Sequence, residues 1–319
     1  MKSSLGIPSV DLSDFLSGDE SRKNKFVADL GAAYEDIGFV SLKNHGFKPE
    51  LQNSLYKEVQ NFFSLPKEIK LGYEIPGIAG QRGYVSFGKE SAKGSNHPDL
   101  KEFWHFGQYI NEDFPIEEKY PDNVEVKELT DFNSVGEQAY KQLETTGRSM
   151  LQALALYLNL DEYYFDEKIV NGNSILRPIH YPPIVGEPSG SVRAGQHEDI
   201  NLITLLMGAS ADGLQVLNKQ NEWVSVTAIE DHIIVNVGDM LQRLTNNKLR
   251  STTHRVINPP KEKWGESRFS IPFFLHPRAE VSLACLESCI TEENPKQYDD
   301  ITAGGYLRER LIELGLIKE

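Results

Sequence analysis

The feature that most constrains this chain is a change of pattern after Asn171. From there the sequence runs in short, alternating, β-branched segments: SILRPIHY, SVRAGQHED, LITLLM, LQVLN, EWVSVT, HIIVNVG, STTHRVI and RFSIPFFL. Turn-forming stretches such as NKQNE and TNNK lie between them. Side chains alternate faces along a strand, so runs of this length and spacing bury a face by stacking as a sandwich or closing as a barrel. The expected fold is therefore mainly β with flanking helices.

The first half reads differently. IPSVDLSDF opens as a short edge strand and a turn, and Asp19 is placed to cap a helix in which Phe26, Leu30, Ala33 and Ile37 recur at helical spacing. FVSLKNHG reads as a strand. An amphipathic helix follows from Pro49 to about Phe63 and is stopped by Pro66. The Gly-rich stretch IPGIAGQRGYVSFGKESAKGSNHPD has little periodicity, as expected of a lid or mouth. Val135, Ala139, Leu143, Met150, Leu154 and Leu158 then mark a long helix able to brace a sheet. YLRERLIELG closes the chain as a further amphipathic helix, and no internal repeat or low-complexity segment interrupts it.

Charge and cysteine usage narrow the partners. The 33 Lys and Arg residues face 47 Asp and Glu, a formal charge of -14, which argues against nucleic acid or an anionic membrane. No apolar run approaches the roughly 20 residues a membrane span needs, and MKSSLGIPSV lacks a signal-peptide core, so the expected location is the cytoplasm. Cys285 and Cys289 lack the companions of a zinc site or a disulfide framework and read as packing residues.

The chemistry concentrates in GQHEDINLITLL. Residues i and i+2 of a strand share a face roughly 6.5 Å apart, within reach of one ion at about 2.0–2.2 Å. His197 and Asp199 satisfy that spacing, and Glu198 points the other way. Alone the signal is weak: with 8 histidines and 47 acids in 319 residues, about one such pair arises by chance. His97-Pro98-Asp99 has the same spacing, but its central proline and its Gly/Ser/Lys-rich surroundings make it read as solvated loop.

Downstream residues lift the second pair above the first. STTHRVI presents His254 on another strand, after VNVGDMLQRLTNNKL has supplied a strand, a turn and a return. Two imidazoles and one carboxylate leave three metal positions open, as in non-heme Fe(II) oxygenases, whereas zinc is more often closed or keeps one open position. Arg268 and Ser270 share a strand face and form a carboxylate receptor, because a guanidinium offers paired donors that keep their charge. By the same parity Phe274 could form an apolar wall beside Ser270.

Together these residues resemble the isopenicillin N synthase-like Fe(II)/2-oxoglutarate dioxygenases. The resemblance rests on Gln196-His197-Glu198-Asp199, His254-Arg255-Val256 and Arg268-Phe269-Ser270 with Phe273-Phe274 and Pro277. It is joined by IPSVDLSDF, DIGFVSLKNHG, NFFSLPKE, DLKEFWHFG and HYPP, so it spans nearly the whole chain. It implies a distorted double-stranded β-helix, or jelly roll, with Fe(II) held by His197, Asp199 and His254. It also implies 2-oxoglutarate as cosubstrate, its far carboxylate meeting Arg268, Ser270 and the Tyr181 phenol. O2 and 2-oxoglutarate would yield succinate, CO2 and a ferryl oxidant that hydroxylates, desaturates or cyclises a small organic substrate, with ascorbate as a candidate reductant. The implied layout is one compact unit: an N-terminal helical and mixed region over 1–125, bracing helices over 126–170, the jelly-roll core over 171–285 and a helical tail over 286–319.

Two positions depart from the family pattern. Glu198 stands where plant members usually carry Thr, and Ile179-His180 replace the usual Asn-Tyr ahead of Tyr-Pro. Arg-x-Ser is shared with members that do not use 2-oxoglutarate, so a same-fold Fe(II) oxidase stands as an alternative, beside a non-catalytic metal-binding jelly roll. Arg193, four residues before His197, is either a solvated strand-end charge or a second carboxylate receptor for substrate. Phe274, Tyr84, Phe87 and Phe106 are pocket candidates, together with Phe103 and Trp104, although aromatics at such density also serve packing. His45, His105, His180, His232 and His276 have no ligand spacing and read as structural. The oligomeric state is left open.

Overall fold

Each β-branched run after Asn171 forms a strand in the computed structural model of the protein, which describes residues 7–90, 97–114, 119–188, 190–207, 213–226 and 231–313. Part of the Gly-rich loop, the start of MKSSLGIPSV and the last two residues of the closing YLRERLIELG segment lie outside those residues. In chain order the strands are β1 (Ser9–Asp11), β2 (Phe39–Lys43), β3 (Gly83–Val85), β4 (Glu102–His105), β5 (Ile175–Leu176), β6 (Ile179–Tyr181) and β7 (Ala194–His197). They continue with β8 (Ile203–Met207), β9 (Leu214–Leu217), β10 (Trp223–Ser225), β11 (Ile233–Val237), β12 (His254–Val256) and β13 (Arg268–Leu275).

Among the described residues these strands make two sheets. The large one has the order β1-β2-β11-β8-β13-β6-β4-β3, with β5 on β13, and the small one has the order β10-β9-β12-β7. Two apolar clusters join the sheets and form the inside of the jelly roll. Phe39 and Ile234 of the large sheet pack with Leu214 and Val216 of the small one. Phe103, Ile179 and Tyr181 likewise pack with Ala194 and Val256.

The helices are α1 (Leu12–Phe15), α2 (Glu20–Asp36), α3 (Pro49–Phe63), α4 (Lys67–Leu71), α5 (Phe132–Tyr157), α6 (Asp166–Ile169), α7 (Asp239–Leu244) and α8 (Ala303–Glu313). Asp19 caps α2 as its position predicts, accepting from the Ser21 and Arg22 amides at 2.8 and 3.1 Å. The long α5 lies on the outer face of the large sheet and buries Ala139, Leu143, Met150 and Leu154. Each buried leucine there contributes about 1.5–3 kcal/mol. Gly147 sets how closely α5 lies on the sheet, because a Cβ there would come within 2.8 Å of the Leu275 side chain and 3.2 Å of Leu205.

Two segments differ from their sequence readings: the Gly-rich stretch is not all loop, because Gly83–Val85 pair with β4 as the buried strand β3, and one connection holds a helix. The segment between β11 and the return to β12 is not a plain turn but contains α7, which buries Met240, Leu241 and Leu244. The six-residue helix is too short for periodicity to announce it, and tertiary packing supplies most of its stability. Cys285 and Cys289 are free and buried, as expected of packing residues. Among the described residues no helix is long and apolar enough to cross a membrane.

Candidate metal centre

The two candidate histidines are cross-strand partners. His197 ends β7, His254 begins β12, and the register places them directly opposite each other with ring centroids 4.4 Å apart. Asp199 lies two residues beyond the end of β7. Its Oδ1 stands 3.8 Å from His197 Nε2 and 3.6 Å from His254 Nε2, and one ligand atom from each residue falls within 4.8 Å of the others. No other group of three His, Cys, Asp or Glu residues converges this way among the described residues.

Strand parity brings His197 to the right face, but it does not aim Asp199. That carboxylate is held by the large sheet: Thr204 on β8 and Asn236 on β11 donate to Oδ2 at 2.6 and 2.8 Å. Asn201 donates to the Thr204 hydroxyl at 2.8 Å and fixes its direction. Oδ1 is thereby left to face the imidazoles. Burial pushes the Asp199 carboxyl up, but the adjacent His254 and His197 and the Asn236 and Thr204 donors outweigh it and keep the group below the usual range. Glu198 is exposed and accepts from the Thr253 hydroxyl at 3.0 Å, facing away from the cluster as expected.

The imidazoles are oriented as metal ligands require. His197 Nδ1 lies 2.8 Å from the Gly195 carbonyl, and His254 Nδ1 lies 3.0 Å from the Thr252 carbonyl. A carbonyl only accepts, so both Nδ1 atoms carry the proton and both Nε2 atoms present lone pairs toward Asp199. Although one edge of the His197 ring is exposed, crowding of its inward side, then the neighbouring His254 and Lys101, hold the group below the usual histidine range. Two imidazoles and one carboxylate from converging elements, with the His197 edge open, suit Fe(II) with free positions.

The residues expected to receive a carboxylate lie on neighbouring strands of the large sheet. Arg268 pairs in register with Tyr181, and Ser270 with Ile179. Arg268, Ser270 and Tyr181 are all buried, and the Arg268 guanidinium stands 4.9 Å from the Tyr181 ring centroid. Arg193 is not a solvated charge: it is 2% exposed, lies 5.9 Å from the same ring, and donates to the Glu266 carbonyl at 3.1 Å. Burial and the Arg268 charge lower its pKa, and its Nε is buried without a hydrogen bond among the described residues. A second guanidinium thus stands beside Arg268 over the Tyr181 ring, a neighbourhood that sequence spacing did not reveal.

The aromatic candidates separate. Phe274 is half-buried beneath the Arg177 guanidinium, 5.1 Å away, and pairs in register with Thr204. Phe87 is half exposed on a groove of about 420 Å³ with Leu100, Pro182 and Ile184. Tyr84 and Phe106 are core residues, not pocket wall. The Tyr84 ring packs on Phe62 and its hydroxyl bonds Glu102, while Phe106 packs on Trp104 and Phe132. Phe103 belongs to the inter-sheet cluster, 4.5 Å from the Arg177 guanidinium.

Each of the remaining histidines named above has a structural partner. His45 accepts from the Phe47 amide, His180 contacts Glu102, and His232 contacts Ser41. His105 and His276 bond the carbonyls of Gly80 and Phe274.

The solvated reading of His97-Pro98-Asp99 fails for its acid. Asp99 is 5% exposed, its Oδ2 meets Lys101 Nζ at 2.9 Å, and its Oδ1 accepts from the Gly195 amide at 2.9 Å. Lys101, Thr204 and Asn236 surround the site and were not singled out by sequence. Thr204 was discoverable as a polar residue inside the apolar run LITLLM, whereas Asp99 carried the His-x-Asp spacing with nothing local to mark it as buried.

Two family descriptions match the chain: the non-haem dioxygenase in morphine synthesis N-terminal region over residues 7–128, and the 2OG-Fe(II) oxygenase superfamily over residues 172–277. Proline hydroxylase buaE of Petromyces alliaceus is 32% identical, covering 97% of this chain and 99% of that protein. A putative 2OG-Fe(II) oxygenase family protein of Caulobacter crescentus has a solved structure with 40% identity and a TM-score of 0.86, covering 97% of this chain and 99% of that one. A full-length Neurospora crassa protein, solved in complex with alpha-KG and thymine, has 32% identity and a TM-score of 0.85, with 98% of each chain covered.

Proposed function

Because the chain belongs to the 2OG-Fe(II) oxygenase superfamily and is a 2-oxoglutarate-dependent dioxygenase, we propose that His197, Asp199 and His254 hold its Fe(II) and that Arg268, Ser270 and Tyr181 receive the far carboxylate of 2-oxoglutarate. The observation carrying this reading is the convergence of the two Nε2 lone pairs on Asp199 Oδ1 within 4.8 Å. When bound, iron with 2-oxoglutarate and O2 supplies the oxidant for a C–H bond of the substrate, with release of succinate and CO2.

The protein's own residues position and shield. Asn236 and Thr204 orient the Asp199 carboxylate, while the Gly195 and Thr252 carbonyls orient the imidazoles. Arg268 offers a permanent charge in a buried pocket, where a carboxylate binds more tightly than in water. Arg193, over the same tyrosine ring, serves that anion end better than a substrate pocket nearer the iron. Phe274 forms an apolar wall for the substrate. The substrate is a small organic molecule, a class supported by the proline hydroxylase relative and by the thymine-bound Neurospora crassa structure. Acidic composition and two buried free cysteines support a cytoplasmic setting.

Under anaerobic conditions Fe(II) plus 2-oxoglutarate should give the weak visible charge-transfer band of a chelated 2-oxo acid. Arg268→Ala should raise the 2-oxoglutarate Kd at least about 30-fold, because it removes one partner of a buried ion pair. Absence of the band in the wild-type protein with excess iron would reject the cosubstrate site.

A further inference from the structure

We propose that Asp99 is a positioning residue for His197, acting through Gly195. This inference rests on the reading of His197 as an iron ligand. The two candidate ligand histidines are not equally supported. His254 is 10% exposed, with its ring held edge-on against Phe39 at 5.6 Å and its Nδ1 bonded to Thr252. His197 is 39% exposed at the end of a strand, and its Nδ1 is oriented by the Gly195 carbonyl.

That carbonyl belongs to a glycine, whose backbone is the least restrained by its own sterics. The Gly195 amide donates at 2.9 Å to Asp99 Oδ1, which holds the peptide on one side of the glycine, while the pairing of β7 with β12 holds the chain on the other, so that together they limit the direction of the carbonyl. Asp99 is itself anchored. Its Oδ2 lies 2.9 Å from Lys101 Nζ, which also meets Glu90 at 2.7 Å, and the Asp99 amide donates to the Glu90 carbonyl at 2.9 Å. The Leu100 amide donates to the Val192 carbonyl at 2.9 Å, fastening the same segment alongside the start of β7.

Burying Asp99 and Lys101 costs desolvation that the pair offsets only when both carboxylate oxygens are satisfied. Both are: one oxygen takes the lysine, the other the glycine amide. The relay Lys101–Asp99–Gly195–His197 thus carries rigidity from the Gly-rich loop to the more exposed metal ligand. Partners one step beyond a ligand typically affect metal affinity about 10–100-fold.

The test is anaerobic Fe(II) titration of the full chain, with thermal unfolding of the metal-free protein measured in parallel. Asp99→Ala removes the acceptor and should weaken Fe(II) binding at least about tenfold. The variant Asp99→Asn keeps an amide oxygen for the Gly195 N–H and leaves Lys101 its pair with Glu90. It should hold Fe(II) affinity within about threefold of wild type, well inside the roughly 10–100-fold that loss of such a partner costs, even where its melting temperature falls. Unchanged affinity in Asp99→Ala overturns the proposal. Equal weakening in both variants, in step with lost stability, also overturns it, because the pair would then serve the fold alone. Failure of the wild-type protein to bind Fe(II) would instead count against the ligand assignment itself.

Discussion

Two segments of this chain carry the same pattern, His-x-Asp at 97–99 and at 197–199, and in both the aspartate is buried, at 5% and 6% exposure. Their chemistry is opposite. Asp199 receives neutral donors on Oδ2 and turns Oδ1 toward two imidazole lone pairs. Asp99 has both oxygens engaged, one by Lys101 and one by the Gly195 amide, and His97 is exposed. Neither spacing nor burial makes a metal ligand. An acceptor left unspent, facing other unspent acceptors, makes one.

The difference between the two aspartates is widest at Asp199. Asp199→Ala should bring Fe(II) binding below detection in anaerobic calorimetry, and retained binding would mean that the two motifs do not differ as described. A smaller loss should follow Thr204→Val combined with Asn236→Leu, which keeps the carboxylate but removes the donors that aim it. Fe(II) affinity should fall about 10–100-fold, and an unchanged value would show that the carboxylate finds its direction without the large sheet.

A buried histidine outside both motifs bears on stability and not on metal binding. Burial lowers His276 to about 4, from the usual value of about 6.5. A depressed histidine stabilises the fold above the unfolded value, and that stability is lost as pH falls from about 6.5 toward 4, since the unfolded chain takes up the proton first. Denaturant midpoints of the metal-free protein should decline over that window, and His276→Gln should flatten the decline. The smallest expected effects are those of Glu198→Thr and His97→Ala. Neither should alter Fe(II) affinity, and a loss in the first would mean that the register at the end of β7 is wrong.

Much of this was legible because it is local. The cap at Asp19, the stripe of α5 and each strand of the core follow from short-range pattern, as does the shared face of Arg268 and Ser270. The site was readable to the extent that parity and order along the chain could group His197, Asp199 and His254. Tyr84 and Phe106 were misread because an aromatic residue has the same sequence signature in a core and in a pocket wall. Asp99 was misread for a different reason. A Gly-rich loop looks solvated until a distant lysine and a strand amide close around its carboxylate.

Backbone period and side-chain chemistry alone fix the strands after Asn171, the helices α2, α3 and α5, the donor types and the side of β7 on which His197 stands. Only the tertiary structure decided which oxygen of Asp199 is free, that His254 lies directly opposite His197, that Arg193 joins Arg268 over one tyrosine ring, and that Asp99 supports the glycine behind His197. The physical reason is that hydrogen bonds and charge pairs act over a few ångströms. Their partners here come from both sheets and from a loop 96 residues away along the chain, and only packing brings them within that range.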